Sequence, residues 1–532
     1  MAETPDSLRE PSIVTRPREW HRASVREMAE ALDKGELTSQ ELVGAHLERI
    51  AEVDREITAF TEVFHDSARR AAAQADEERL AGKRRGPLHG VPVSIKECFD
   101  FEGRPTTLGL PARRAARAER DSAMVRALSD AGAVILGRTN VAQLLLALES
   151  DNPVFGRTSN PFSPRHSAGG SSGGEAAAIA AGLSPLGFGT DLGGSARVPA
   201  HFCGIAGLKP TPGRLPNHGS RGPLPGQTVI ALQTSLLGRS VGDLELALEA
   251  LPASALAHLD PAVPPITDAP GKPLRGLSVG VFKDNELLSP SSALVGALER
   301  ASDALRAAGV TVVPFSPPGL AELFFDTAAL FGAEGGHAML AALGSGQVAE
   351  SLRSLHKLVR APGAVRAALR KVAELSGDKE LARLIACIGE RSVGEYQALC
   401  ERLDAAKHVM LEAWRSAGID ALLCPPYATP ALPHGLSADF LVASSYCLPW
   451  NAVGFVAGVV PVTRVHGAEA RRDRAKGQLG RLARRIDEQS AGLPVGVQIV
   501  APPWCERTAL AVMSAIETNV SGDVDFPRTP VW

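Results

Sequence analysis

The sequence predicts an α/β fold with a largely buried sheet, and three observations carry that prediction. Strand and helix patterns alternate along much of the chain, the strand candidates are short runs of Val, Ile and Leu, and turn residues punctuate them. Its 532 residues suit two or three average domains or one large α/β domain. With no repeats and one continuous pattern, a single domain spanning 21–532 is expected, with a helical insertion at about 345–416. Residues 1–20 read as a flexible N-terminal arm.

Two helices follow the arm. The second begins at Thr38, with Glu41 completing a capping box, and carries Leu42, Val43, Leu47, Ile50 and Val53 on one face. Glycines near 86–90 lead into a strand, Val91–Ile95. Asp121 is expected to open a helix with Met124, Val125 and Leu128 inward, ending at Gly132 before the strand Ala133–Leu136. Glu175–Ala181 is Ala-rich and helical. The Pro-rich stretch 252–275 reads as a surface connector. Leu277–Phe282 and Val310–Phe315 flank a helix at 294–308, a long helical stretch covers 345–416, and strands Ala421–Cys424, Val459–Val465 and Pro494–Val500 follow.

Composition excludes several function classes. The formal net charge is −3 and the apolar content ordinary, so wholesale nucleic-acid binding is not expected. Seven scattered cysteines without a C-x-x-C pair fit neither a zinc site nor a disulfide scaffold, and suit reduced thiols in a cytoplasmic setting. The polar N-terminus lacks a signal-peptide core, and no apolar run reaches the roughly 18 residues of a spanning helix. No metal and no cofactor are expected.

Three stretches carry chemistry: Gly90–Lys96, Gly169–Glu175 and Gly189–Arg197. Strand alternation puts Val91, Val93 and Ile95 on one face and Ser94 and Lys96 on the other. A lysine buried there would have a lowered pKa and serve as a base. The plainer alternative is a strand-end surface lysine paired with Glu97. Gly169–Glu175 admits a flexible linker or a phosphate cradle, although the ending of a P-loop is absent. It also contains Gly-x-Ser-x-Gly centred on Ser172, the nucleophile-elbow pattern, with His408, His434 and His466 available as partners. An elbow should directly follow a strand, and Ser159–His166 is polar. Gly189–Arg197 aligns backbone N–H groups beside the Ser195 hydroxyl, an oxyanion hole with its nucleophile; a plain tight turn is the alternative.

Taken in order, Gly-Gly-Ser-Ser-Gly-Gly-Glu and Gly-Thr-Asp-Leu-Gly-Gly-Ser-Ala-Arg, continuing to Gly-Leu-Lys-Pro-Thr, resemble the amidase signature family, and within it the fatty acid amide hydrolase branch. Gly90–Phe99, Ser150–Gly156, Leu259–Pro265, Ala457–Thr463 and Leu493–Trp504 extend the resemblance from about residue 80 to near the end. It implies a central mixed, twisted β-sheet covered by helices on both faces. It further implies Ser195 as nucleophile, Ser171 in a cis Gly170–Ser171 peptide as proton relay, and Lys96 as base, with no histidine. Leu192, Gly193, Gly194 and Ser195 become the oxyanion donors. Gly170, Leu145, Leu146 and Leu148 become substrate-binding residues, with Leu144 beside them on the acyl channel; ordinary core is the plainer account of these leucines. A small-molecule amide or ester with a hydrophobic acyl group is the expected partner.

The sequence departs from the animal enzymes of that branch in lacking their N-terminal membrane-spanning helix, so soluble expression is expected. Peripheral membrane contact is expected through 352–375, read as a basic amphipathic hairpin with Leu352, Leu355, Val359, Val365, Leu369 and Val372; a solvated helical face is the alternative. A homodimer is compatible with the resemblance. An amidase on small aryl or alkyl amides or carbamates is the alternative within the hydrolases, and two other classes stand beside them: the glutamine-hydrolysing subunit of a tRNA-dependent amidotransferase, and a binding protein with a dead site.

Overall fold

The computed structural model describes residues 19–266, 271–472, 475 and 477–530. An eleven-stranded mixed sheet forms its centre. In chain order the strands are β1 (Phe60–Val63), β2 (Pro92–Lys96), β3 (Val134–Thr139), β4 (Leu186–Asp191), β5 (Ala206–Lys209), β6 (Gln233–Gly238), β7 (Ser278–Val281), β8 (Thr311–Pro314), β9 (Ala421–Cys424), β10 (Val456–Arg464) and β11 (Pro494–Ala501). They lie in the order β1-β3-β2-β4-β6-β5-β10-β11-β9-β7-β8. The pairs β2–β3, β2–β4, β7–β8 and β7–β9 are parallel, and the others are antiparallel.

Side-chain alternation gives the sheet two apolar faces, each covered by helices. Val93 and Ile95 of β2 and Val456, Val460 and Val462 of β10 join one core with the helices Ser292–Ala307 and Glu506–Val520. Val134 and Leu136 of β3 and Val459 of β10 join the other, under the helices Ser39–Ile57, Gly173–Ala180 and Arg197–Cys203. A third core gathers Trp414, Trp450 and Phe455 beneath the helical region.

Sequence and structure agree where capping and periodicity are strong. Thr38 caps Ser39–Ile57 through the expected capping box, and Leu42, Val43, Leu47, Ile50 and Val53 are buried. The strand Ala421–Cys424 matches its expected ends. The helix expected to open at Asp121 is instead capped by Ser122, and runs Ala123–Asp130, because the Asp121 carboxylate accepts the Glu102 N–H. The long stretch 345–416 is broken into Arg353–Arg360, Gly363–Leu375, Lys379–Cys387 and Val393–Ala417, with turns at Pro362 and Gly377. Helices already begin at Leu320, before that stretch. The connector at 252–275 holds a short helix, Ala253–Leu256, and buries Leu256, Leu259 and Val263, so it is packed rather than laid over the surface. Most of the expected arm lies outside the described residues; Trp20–Arg22 forms one 3₁₀ turn.

Candidate active site

The three stretches meet where β2 and β4 run side by side. Lys96 is the last residue of β2 and is wholly buried. Its Nζ lies 2.8 Å from Ser171 Oγ and donates to Thr190 Oγ1 at 2.9 Å. Burial pushes its pKa down to about 8, opposed in part by Cys98, Asp191, Glu175 and Glu97. Lys96 is not the surface partner of Glu97. That carboxylate is held by the Thr107 N–H, the Thr107 hydroxyl and the Leu108 N–H.

Ser171 sits between a cis Gly170–Ser171 peptide and the helix Gly173–Ala180. A Cβ on Gly170 would collide with the Glu149 backbone, so only glycine admits the approach of these two segments. Ser172 is a tie between loops, its N–H donating to the Ser195 carbonyl at 3.0 Å and its hydroxyl to the Thr190 carbonyl at 3.2 Å. The elbow alternative therefore loses its nucleophile. Its histidines are elsewhere: His434 bonds Glu149, His466 pairs with Asp525, and His408 is exposed.

Ser195 follows the end of β4 and is 8% exposed, against 1% for Ser171. The loop before it is drawn over the Asp191 carboxylate. Asp191 accepts the Gly194 N–H at 2.8 Å, the Ala196 N–H at 3.2 Å and two N–H groups of Arg197 at 3.0 Å. Burial raises the Asp191 pKa, but the Arg197 charge and these donors outweigh it and hold the carboxyl well below its usual range. Gly194 has φ +113°, closed to other residues, and a Cβ there would press on Cys447. Since the Gly194 N–H is engaged, Leu192, Gly193 and Ser195 are the candidate N–H groups without a partner among the described residues. No hydrogen bond joins the Ser171 and Ser195 hydroxyls among the described residues; such contacts commonly close only with substrate in place.

The leucines expected to line one channel spread over three cores. Leu145 packs with the first face of the sheet and Leu148 with the aromatic core. Leu144 and Leu146 pack with Leu110, Met339, Leu352 and Val359. The expected hairpin also divides. Leu352 and Val359 are core, Leu355 leans on them, and the next helix leaves Val365, Leu369, Val372 and Leu375 exposed. Among the described residues no helix is long and apolar enough to cross a membrane, and no group of His, Cys, Asp and Glu is arranged to hold a metal ion.

Sequence reasoning missed Thr190 as a second partner of Lys96 and the buried pair of Asp191 and Arg197, all of which lie inside the Gly189–Arg197 motif. Asn451 and Gln498, which hold Arg197 at 2.5 and 2.8 Å, gave no local signal.

The Amidase family model matches residues 41–510. A fatty-acid amide hydrolase 1 from Sus scrofa is 35% identical over 92% of this chain and 84% of its own. A glutamyl-tRNA(Gln) amidotransferase subunit from Rhodopirellula baltica is 30% identical over 96% of this chain and 98% of its own. A solved fatty acid amide hydrolase superposes with a TM-score of 0.82 at 24% identity, covering 96% of this chain and 87% of that one.

Proposed function

The chain belongs to the amidase family and is a hydrolase of carbon–nitrogen amide bonds, and from that premise we propose that it works through an acyl-enzyme on Ser195 and favours hydrophobic acyl groups such as fatty acid amides. One observation carries the mechanism: a wholly buried lysine whose Nζ lies 2.8 Å from Ser171 Oγ, on the loop tied to Ser195. Desolvation lowers the Lys96 pKa to about 8, so that from that pH upward it is a free amine able to accept the Ser171 proton. Ser171 in turn takes the proton of Ser195 as that oxygen attacks the carbonyl, and returns one to the leaving amine. The Leu192, Gly193 and Ser195 N–H groups, with Gly194 holding the loop to Asp191, support the developing oxyanion. Water then repeats the cycle and frees the acid. Esters, which need less help from the leaving-group proton, follow the same path.

The hydrophobic preference draws on the similarity to fatty-acid amide hydrolases and on the apolar cluster that joins Leu144 and Leu146 to the helical region. The exposed stripe of Gly363–Leu375 supports peripheral contact with a membrane from a cytoplasmic, reducing setting. A p-nitroanilide series of increasing acyl length tests the function. Turnover by the isolated chain should rise with acyl length, and Ser195→Ala should abolish both turnover and fluorophosphonate labelling while the protein stays folded. Ser172→Ala as the lethal change, with Ser195→Ala active, would overturn the assignment. Glutamine hydrolysis only with an added partner protein would instead favour the amidotransferase class.

A further inference from the structure

Glu175 is a buried acid that the mechanism does not use. It lies in the first turn of Gly173–Ala180, four residues after Ser171 and wholly enclosed. The Ser94 hydroxyl donates to its Oε2 at 2.6 Å, and the Thr139 hydroxyl to its Oε1 at 2.7 Å. Both donors belong to the setting of Lys96. Ser94 is two residues before it on the same face of β2, and Thr139 is its register partner on β3. Gly187 of β4 leaves the space the carboxylate fills, since a Cβ there would collide with Glu175 Oε2.

The other charged and titratable groups on the elements around it are already committed. Asp191 is bound by Arg197, Glu97 by Thr107 and Leu108, and Arg138 by Glu62. The Cys98 thiol is pushed up by burial to about 11 and is neutral near pH 7. On Arg197–Cys203, His201 bonds the Thr429 carbonyl and accepts the Gly496 N–H, and Cys203 donates to the Ala168 carbonyl. The facing residues of β6, Gln233–Gly238, carry no titratable group. Lys96 is the cation that acts on Glu175.

We propose that Glu175 is a positioning residue of the catalytic base, its carboxylate strengthening the hold of Lys96 on a proton and so raising the pH at which Lys96 becomes a free amine. The inference rests on Lys96 being the base. Burial alone would leave Lys96 a weak acceptor, slow to draw a proton through Ser171. Burial pushes the Glu175 pKa up to about 8 against the Ser94 and Thr139 hydroxyls and the Lys96 charge, so its carboxylate forms over the range in which Lys96 loses its proton and restores part of that proton affinity there. The two groups titrate as a coupled pair.

The test is the rate of Ser195 labelling by a fluorophosphonate from about pH 6 to about pH 10, the span between ordinary histidine and lysine behaviour. Glu175→Gln keeps the size and hydrogen-bonding groups but removes the charge. Its alkaline limb should move to lower pH by about one unit, the lower end of what a neighbouring charge produces. An unmoved midpoint, or an equal loss at every pH, would mean that Glu175 only supports the fold. If Glu175→Gln does not fold, Ser94→Ala and Thr139→Val decide: each should shift the limb the same way by less, and no shift in either overturns the proposal. Lys96→Ala separates the two levels. If wild type has no limb that Lys96→Ala removes, the base assignment and this inference both fall; if it has one and Glu175→Gln coincides with it, only the inference does.

Discussion

Lys96 shows how burial fits a single residue for the proposed role of base. Exposed, it would stay protonated far above neutral pH; desolvated, its pKa falls to about 8. The sign follows directly. The base works as the free amine, so kcat/KM should rise with pH through a midpoint near 8 and be low below it. Lys96→Arg is the sharper variant, because a guanidinium keeps its charge across that range. It should flatten the rise and lower kcat/KM roughly 10²–10⁴-fold, the usual worth of a general base. A pH–rate profile of the two proteins decides, and a variant that keeps the wild-type limb would place the base elsewhere. How much of this was legible differs by residue. Lys96 could be singled out because it ends an apolar strand beside a Ser-Gly motif, but nothing local distinguished a buried lysine from a surface lysine paired with Glu97. That distinction came from Thr107 and Leu108, which bind Glu97 themselves.

At the scale of elements, the helical region between β8 and β9 divides its apolar residues between two tasks. Arg353–Arg360 turns Val359 inward beside Leu352, whereas Gly363–Leu375 packs through Ala373 and leaves Val365, Leu369, Val372 and Leu375 outside. Arg366, Arg370 and Lys371 lie on the same helix. Each basic side chain near an anionic surface adds about 1 kcal/mol, a contribution that salt screens over a Debye length of about 8–10 Å. Sedimentation with anionic liposomes should therefore weaken as salt rises. It should fall further when Val365, Leu369, Val372 and Leu375 are changed to Ser, with activity on soluble anilides retained. Equal sedimentation of wild type and variant at both salt levels would make this face an ordinary solvated one. Periodicity located the two helices but not their orientation. An amphipathic stripe has the same sequence whether it meets a core or a lipid surface.

Across the whole molecule, Arg197 is the joint between the two halves of the sheet. Its guanidinium binds Asp191 at the end of β4, the Cys447 carbonyl and Asn451 from the segment before β10, and Gln498 of β11. Removing one partner of a buried pair leaves the other charge without compensation, typically at a cost of about 3–5 kcal/mol. Arg197→Met should lower stability in urea by roughly that amount. It should also impair Ser195 labelling, because Asp191, which anchors the Gly194 N–H, loses the guanidinium that fixes it. A variant as stable as wild type would show that the fold does not depend on this joint.

Features that depend on neighbours along the chain were readable from residue order. The capping box at Thr38, the strand Ala421–Cys424 and the alternating faces of β2 are local, set by spacing and side-chain shape. So is the order of the lysine and the two serine-glycine loops, which carried the family resemblance. No such pattern marks β1, β4, β5 or β6: two are only four residues long, and β4 is rich in glycine, so periodicity and propensity are both weak there. Packing in three dimensions settled that Lys96 is buried against Ser171 and Thr190, which stripe of the hairpin region is exposed, and that Asn451 and Gln498 hold Arg197. In each case groups distant in sequence compete for the same hydrogen bond or the same buried volume. No local pattern records the winner.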